Sequence, residues 1–137
     1  MTGFHWYDNF QTGHHEIDSD RRNLFVLMNG FHTEAEVVSA NESVLEGAID
    51  LLAERFHGHV EEIGQILAAK NSSHCEHHEA SQNNLKKQIL GYRVTFQANP
   101  TAFDFRGFID FLCGWLRANI LATYLALSCL IDGEAVA

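Results

Sequence analysis

The segment from residue 57 to residue 78 constrains the fold of this chain most, because it holds two pairs of ligand-type side chains at helical spacing. His57 and Glu61 form one pair, and His74 and His78 form the other. Residues four apart on an α-helix lie one above the other on the same face, so each pair directs two side chains toward one point. The segment therefore predicts two consecutive helices that each present a pair of metal-binding groups.

The polar residues 70–73 separate the two pairs and have the composition of a turn with a helix cap. Two helices joined this way fold back antiparallel, and the four side chains then converge in the core of a bundle, where imidazole and carboxylate suit a transition metal. The alternative for either pair alone is that the histidines face solvent. Two pairs on consecutive helices favour the metal site, and we expect His59 and His77 to face outward.

Composition limits the class of protein. A chain of 137 residues with 46% hydrophobic content, ten phenylalanines and one proline suits a single compact helical domain over 1–137. The net charge of −9 argues against nucleic acid and against an anionic membrane surface as partners. A regulatory protein partner stays open, and its identity does not follow from the sequence.

Three further features predict a cytoplasmic protein. The N-terminus lacks the basic start and apolar run of a signal peptide. The most apolar stretch, 108–131, contains Asp110 and Arg117, which favours a core helix over a membrane span. The three cysteines are odd in number and irregularly spaced, which suggests free thiols in a reducing compartment.

The hydrophobic periodicity predicts an all-α fold, an antiparallel up-down four-helix bundle over 18–131 preceded by an aromatic N-terminal arm over 1–17. Arg21 lies one turn before Phe25 on the apolar face of the first helix. The turn at 39–43 carries cap residues, and Pro100 with Thr101 is placed to open the last helix. The four expected helices cover about 18–38, from the turn at 39–43 to 69, about 73–92, and about 101–131.

Motifs in all four helices resemble those of the bacterial hemerythrins, over residues 6–131. The matching features are the early Trp6 with Ile17-Asp18 and Leu24-Phe25, the pair His57/Glu61, the pair His74/His78, and Trp115-Leu116 with Asn119-Ile120. The resemblance implies a four-helix bundle in which two irons are held by five histidines and two bridging carboxylates, and O2 binds reversibly.

Three positions depart from the ligand set that this resemblance implies. Arg21 stands at the place of the first-helix histidine, Asn119 at that of the fourth-helix histidine, and Tyr124 at that of a bridging aspartate. One iron would keep His74, His78 and a carboxylate from Glu61, a donor set that suits mononuclear Fe(II) or zinc. We expect Arg21 to project toward the place of the second iron and to pair with Glu61.

The resemblance and its departures leave three functions open. The first is a metal-binding protein with one iron or one zinc ion per chain, acting as a sensor or small redox protein. The second is a metal-free interaction or regulatory module, and the third is an O2-binding diiron protein with substituted ligands. We expect no enzyme, because the sequence shows neither a nucleophile motif nor a glycine-rich phosphate loop.

Overall fold

The structure is a computed structural model that describes residues 15–69 and 75–119 of the chain. Nearly all of these residues are helical. Within these two ranges there is no strand, so the all-α prediction is confirmed for them. In chain order the elements are α1 (His15–Thr33), α2 (Ala35–Ser39), α3 (Glu42–Ala69), α4 (Cys75–Ala98), a 3₁₀ turn (Pro100–Ala102) and α5 (105–119).

The first predicted helix is divided in two. Helix α1 begins at His15, three residues before the expected start, and a turn at Glu34 separates it from α2. The interruption is short, because the backbone N–H of Val38 bonds to the carbonyl oxygen of Glu34 at 2.9 Å. Ala35 and Val38 on α2 are buried and belong to the main core. The predicted arm falls almost entirely outside the described residues.

Side-chain caps fix where two of the helices begin. The carboxamide oxygen of Asn41 accepts the backbone N–H groups of Ser43 and Val44 at 3.0 and 3.2 Å, which places the start of α3 in the turn where it was expected. The carboxylate of Asp104 accepts the N–H of Gly107 at 2.9 Å and caps α5. Pro100 therefore opens a 3₁₀ turn, and the last helix begins at 105 rather than at 101.

Helix α4 continues through the segment where a break was expected, and ends at Ala98. The β-branched Val94 and Thr95 are tolerated there, and the Thr95 hydroxyl donates to the carbonyl of Gly91 at 3.0 Å. Phe96 on the following turn is buried against Phe103, with ring centroids 5.7 Å apart. The stability of this last turn comes from packing, which outweighs the low local helix propensity.

The core draws on every helix. Helix α3 supplies its longest apolar stripe, and Phe105, Phe108, Leu112 and Leu116 supply that of α5. Cys113 lies in the same core as a free thiol, and burial raises its pKa to about 11. None of the helices in the described part of the chain is both long and apolar enough to span a bilayer.

Candidate metal centre

The buried stripe of α3 brings His59, rather than His57, into the interior. Phe56, Val60 and Ile63 are fully buried, and His59 lies on the same face with 3% of its surface exposed. The expectation that His59 faces solvent is therefore wrong. His59 is buried because Ile63 and Leu67, four and eight residues further on, continue the same apolar stripe of α3.

Arg21 is buried completely and contacts His59. The Nε–H of Arg21 donates a hydrogen bond to Nε2 of His59 across 3.2 Å. Burial lowers the pKa of Arg21 to about 10, against the opposing charge of Asp18, so the guanidinium remains protonated at neutral pH. Burial, followed by the charge of Arg21, lowers the pKa of His59 to about 3.

The hydrogen bond from Arg21 determines which nitrogen of the His59 ring carries the proton. A neutral imidazole has one N–H, and Nε2 accepts from Arg21, so the proton is on Nδ1. This Nδ1 is buried and has no hydrogen-bond partner within 15–69 and 75–119. A buried polar atom without a partner is uncommon, and it marks a place where a ligand or a rearrangement would gain free energy.

Two carboxylates accompany His59. Asp20 on α1 and Glu62 on α3 each offer an oxygen, and together with a ring nitrogen of His59 the three ligand atoms lie within 4.8 Å of one another. His59 and Glu62 are three residues apart and so share a face of α3. The hydrogen bond between Glu62 and Asp20, together with burial and the negative charge of Glu16, raises the pKa of Glu62 to about 7.

This group fits a divalent ion in donor type and nearly in spacing. Ligand atoms around a tetrahedral ion, with bonds of about 2.1 Å, stand roughly 3.4 Å apart, so donors that lie within 4.8 Å of one another would have to close by at most about 1.4 Å. A proton shared between Asp20 and Glu62 serves the same purpose as a cation, because two adjacent carboxylates cannot both stay charged cheaply. The main obstacle is Arg21, which uses the Nε2 lone pair of His59.

The structure does not bring the expected ligands on α3 into the core. Glu61 is exposed, so the predicted inward orientation of its carboxylate and its pair with Arg21 are both absent from the described residues. His57 is half-buried beside α4, and its pKa is lowered by partial burial and then by the charge of Lys86. Its Nε2 is buried and has no hydrogen-bond partner among the described residues. Metal binding by either residue stays a prediction.

His78 is buried as expected, but its ring has another partner. Its Nε2 lies 2.8 Å from the carbonyl oxygen of Val60, which can only accept, so Nε2 carries the proton and donates. The ring lies against α3 at Gly64, where a Cβ would stand 3.4 Å from Cδ2 of His78, so a side chain larger than that of alanine would meet the ring. His78 thus connects α4 to α3, and because its Nε2 carries the proton, only Nδ1 of this ring has a lone pair for a metal.

The remaining predicted positions are described only in part. Asn119 is half-buried in α5. His74, Tyr124 and the side chain of His77 lie outside the described residues. Comparison of the chain with protein-family profiles, with curated proteins and with solved structures gives no match, so no family assignment comes from a relative.

Proposed function

We propose that this chain is a helical metal-binding protein that holds one divalent ion of iron or zinc between α1 and α3. The ligands in this proposal are Asp20, His59 and Glu62, and the surrounding architecture is the antiparallel four-helix bundle that the resemblance to bacterial hemerythrins implies. One observation carries it: three donors of the right chemistry lie within 4.8 Å of one another at the edge of the core.

The proposed role is sensing or binding rather than O2 transport or catalysis. Three protein ligands leave at least one coordination position for a small molecule. Arg21 competes with the ion for His59 and repels it, so binding is expected to be exchangeable rather than permanent. Exchangeable binding suits a protein that responds to the supply of its ion.

A titration of the metal-free chain, purified without a His-tag, with Zn(II) or with anaerobic Fe(II) tests this proposal. We expect one ion per chain, and we expect a variant with both Asp20→Asn and Glu62→Gln to lose binding. Glu61→Gln is the matched control for the Glu62→Gln part of this variant, because it removes one carboxylate from the adjacent exposed position on α3. Loss of binding in the control alone would instead favour the ligand set that the resemblance implies.

The second candidate function is a metal-free interaction module, and the bond between Arg21 and His59 is the observation that favours it. A permanent cation already lies fully buried beside His59. In this proposal Arg21 supplies the positive charge that an ion would otherwise bring. A titration that shows no bound ion, at a concentration where the fold is intact, would select this function.

A further inference from the structure

A cleft of about 320 Å³ opens between α1 and α3 and reaches the proposed metal centre. Asp20 and His59 line one end of it, so the metal centre and the cleft share two residues. Its volume falls within the range of cavities that hold small organic ligands. An ion bound by three protein groups would therefore present its open coordination position next to a space of ligand size.

The lining of the cleft changes in character along its length. Leu24 is buried and Leu27 is partly buried, and both offer apolar surface from α1. Arg55 lies at the rim, exposed, four residues before His59 on α3. That spacing corresponds to a rise of about 6 Å along the helix axis. Arg55 makes no ion pair with another described residue.

From these features we infer that the cleft binds a small aliphatic dicarboxylate once the metal ion is in place. One carboxylate would occupy the open coordination position of the ion held by Asp20, His59 and Glu62. The short hydrocarbon chain would lie on Leu24 and Leu27, and Arg55 would bind the second carboxylate. This inference rests on the proposed function, since it requires the metal.

Charge makes the binding conditional on the metal. Without the ion, Asp20 and Glu62 keep at least one negative charge between them next to the cleft even when they share a proton, and this charge repels an anion. With a divalent ion, that charge is balanced and a coordination position becomes available. By linkage, the dicarboxylate must then raise the affinity for the ion by the same factor. The site would therefore be filled most when the metal ion and the dicarboxylate are both present.

Gly58 provides a variant that blocks the cleft without removing a ligand of the metal. A Cβ at this position meets no atom within 4 Å, and Gly58 lines the cleft from α3. A leucine there fills open space and also improves helix propensity, so folding is retained. Gly58→Leu should leave metal binding unchanged and exclude the dicarboxylate.

The experiment is a calorimetric titration of glutarate into the Zn(II)-loaded and the metal-free chain, with butyrate as a probe that lacks the second acid group. We expect glutarate to bind the loaded chain at least tenfold more tightly than the metal-free chain, and more tightly than butyrate. We expect Gly58→Leu and Arg55→Gln each to weaken glutarate at least tenfold. Arg55→Lys should recover part of the loss.

Two further variants test the charges. Glu54→Gln at the same rim should strengthen glutarate binding, because it removes an opposing charge. Arg106→Gln, an exposed site on α5, should have no effect. Normal Zn(II) binding without glutarate binding would overturn this inference alone, as would equal binding to Gly58→Leu. Absence of Zn(II) binding would overturn the proposed function and this inference together.

Discussion

The Nε–H of Arg21 donates to Nε2 of His59 across 3.2 Å inside the core, so a permanent cation uses the lone pair of the neutral ring that a metal ion would need. Both side chains are almost completely buried. The ion at Asp20 and Glu62 must therefore displace this bond or accept a weaker interaction with His59.

The first prediction follows from this competition. Arg21→Met should raise the affinity for Zn(II) about tenfold, because it releases Nε2 of His59 and removes a positive charge near the ion. Competition against a chromophoric chelator measures the change. Arg22→Met, which removes the same charge from the exposed neighbouring position, is the control and should alter affinity much less. A weaker affinity in Arg21→Met would show that Arg21 supports the site.

The second prediction concerns stability in acid. The pKa of His59 falls from 6.5 in the unfolded chain to about 3 in the fold, so between these values the unfolded chain binds more protons. The contribution of His59 to stability should consequently rise with pH from 3 to 6.5, by an amount on the order of 5 kcal/mol. Urea unfolding of the metal-free chain at several pH values measures the slope.

His59→Gln isolates this contribution, because the variant lacks the titrating ring. The difference in unfolding free energy between the parent chain and His59→Gln should grow as pH increases through the window from 3 to 6.5. Glu62 acts in the opposite direction between 4.5 and 7, since its pKa is raised to about 7, and it does so equally in both proteins. A difference independent of pH would contradict the assignment to His59.

The third prediction is that Zn(II) affinity increases with pH up to about 7. Glu62 must lose its proton to bind an ion, and its hydrogen bond with Asp20 helps to raise its pKa to about 7. Below that value each unit of pH should raise the apparent affinity about tenfold, and above it the curve should flatten. Titrations at pH 5.5, 6.5 and 8 measure this. A flat profile over the range would exclude Glu62 as a ligand.

The fourth prediction concerns the contact between α3 and α4. A Cβ at Gly64 would lie 3.4 Å from Cδ2 of His78, so alanine fits with little displacement, whereas a branched side chain does not. Gly64→Ala should stabilise the chain by at most about 1 kcal/mol, as expected for helix propensity. Gly64→Val should push the His78 ring away and break its 2.8 Å bond to Val60.

Gly47→Ala is the matched control for this pair, because a Cβ there meets nothing within 4 Å. Thermal unfolding ranks the variants, and we expect Gly64→Val to be the least stable. If Gly64→Val were as stable as the parent chain, the close approach of His78 to α3 would not be required.

The sequence predicted the helical class and the burial of Arg21 well, because both follow from the apolar stripes. It misplaced the candidate site by a fraction of a helical turn. The i, i+4 spacing of His57 and Glu61 shows that two side chains share a face, but it does not say which face. The run from Phe56 through Ile63 to Leu67 determines the phase, and it would have identified His59 as the buried histidine.

Asp20 and Glu62 could not be found from the sequence in the same way. Each is one of several acids on its helix, and acidic residues on helices are usually solvated. Only the packing of α1 on α3 brings the two carboxylates together at His59. The sequence also could not predict where α4 ends. The helix continues past Val94 and Thr95 because the ring of Phe96 packs against that of Phe103, which is a tertiary contact.

The last prediction separates the packing role of Arg21 from its charge. Arg21→Ala should destabilise the metal-free chain by about 3 kcal/mol, because it leaves a cavity in the core and removes the donor to Nε2 of His59. Arg21→Met fills much of the same space without a buried charge, so its loss should be smaller by at least about 1 kcal/mol.

Urea unfolding in the presence of a chelator measures both changes, with Arg22→Ala and Arg22→Met as the exposed counterparts. Equal losses for Arg21→Ala and Arg21→Met would show that the charge and its hydrogen bond, rather than the filled volume, determine stability at this position. Near-zero losses in both would mean that the guanidinium is not buried in solution, and the competition between Arg21 and a metal for His59 would then have no structural basis.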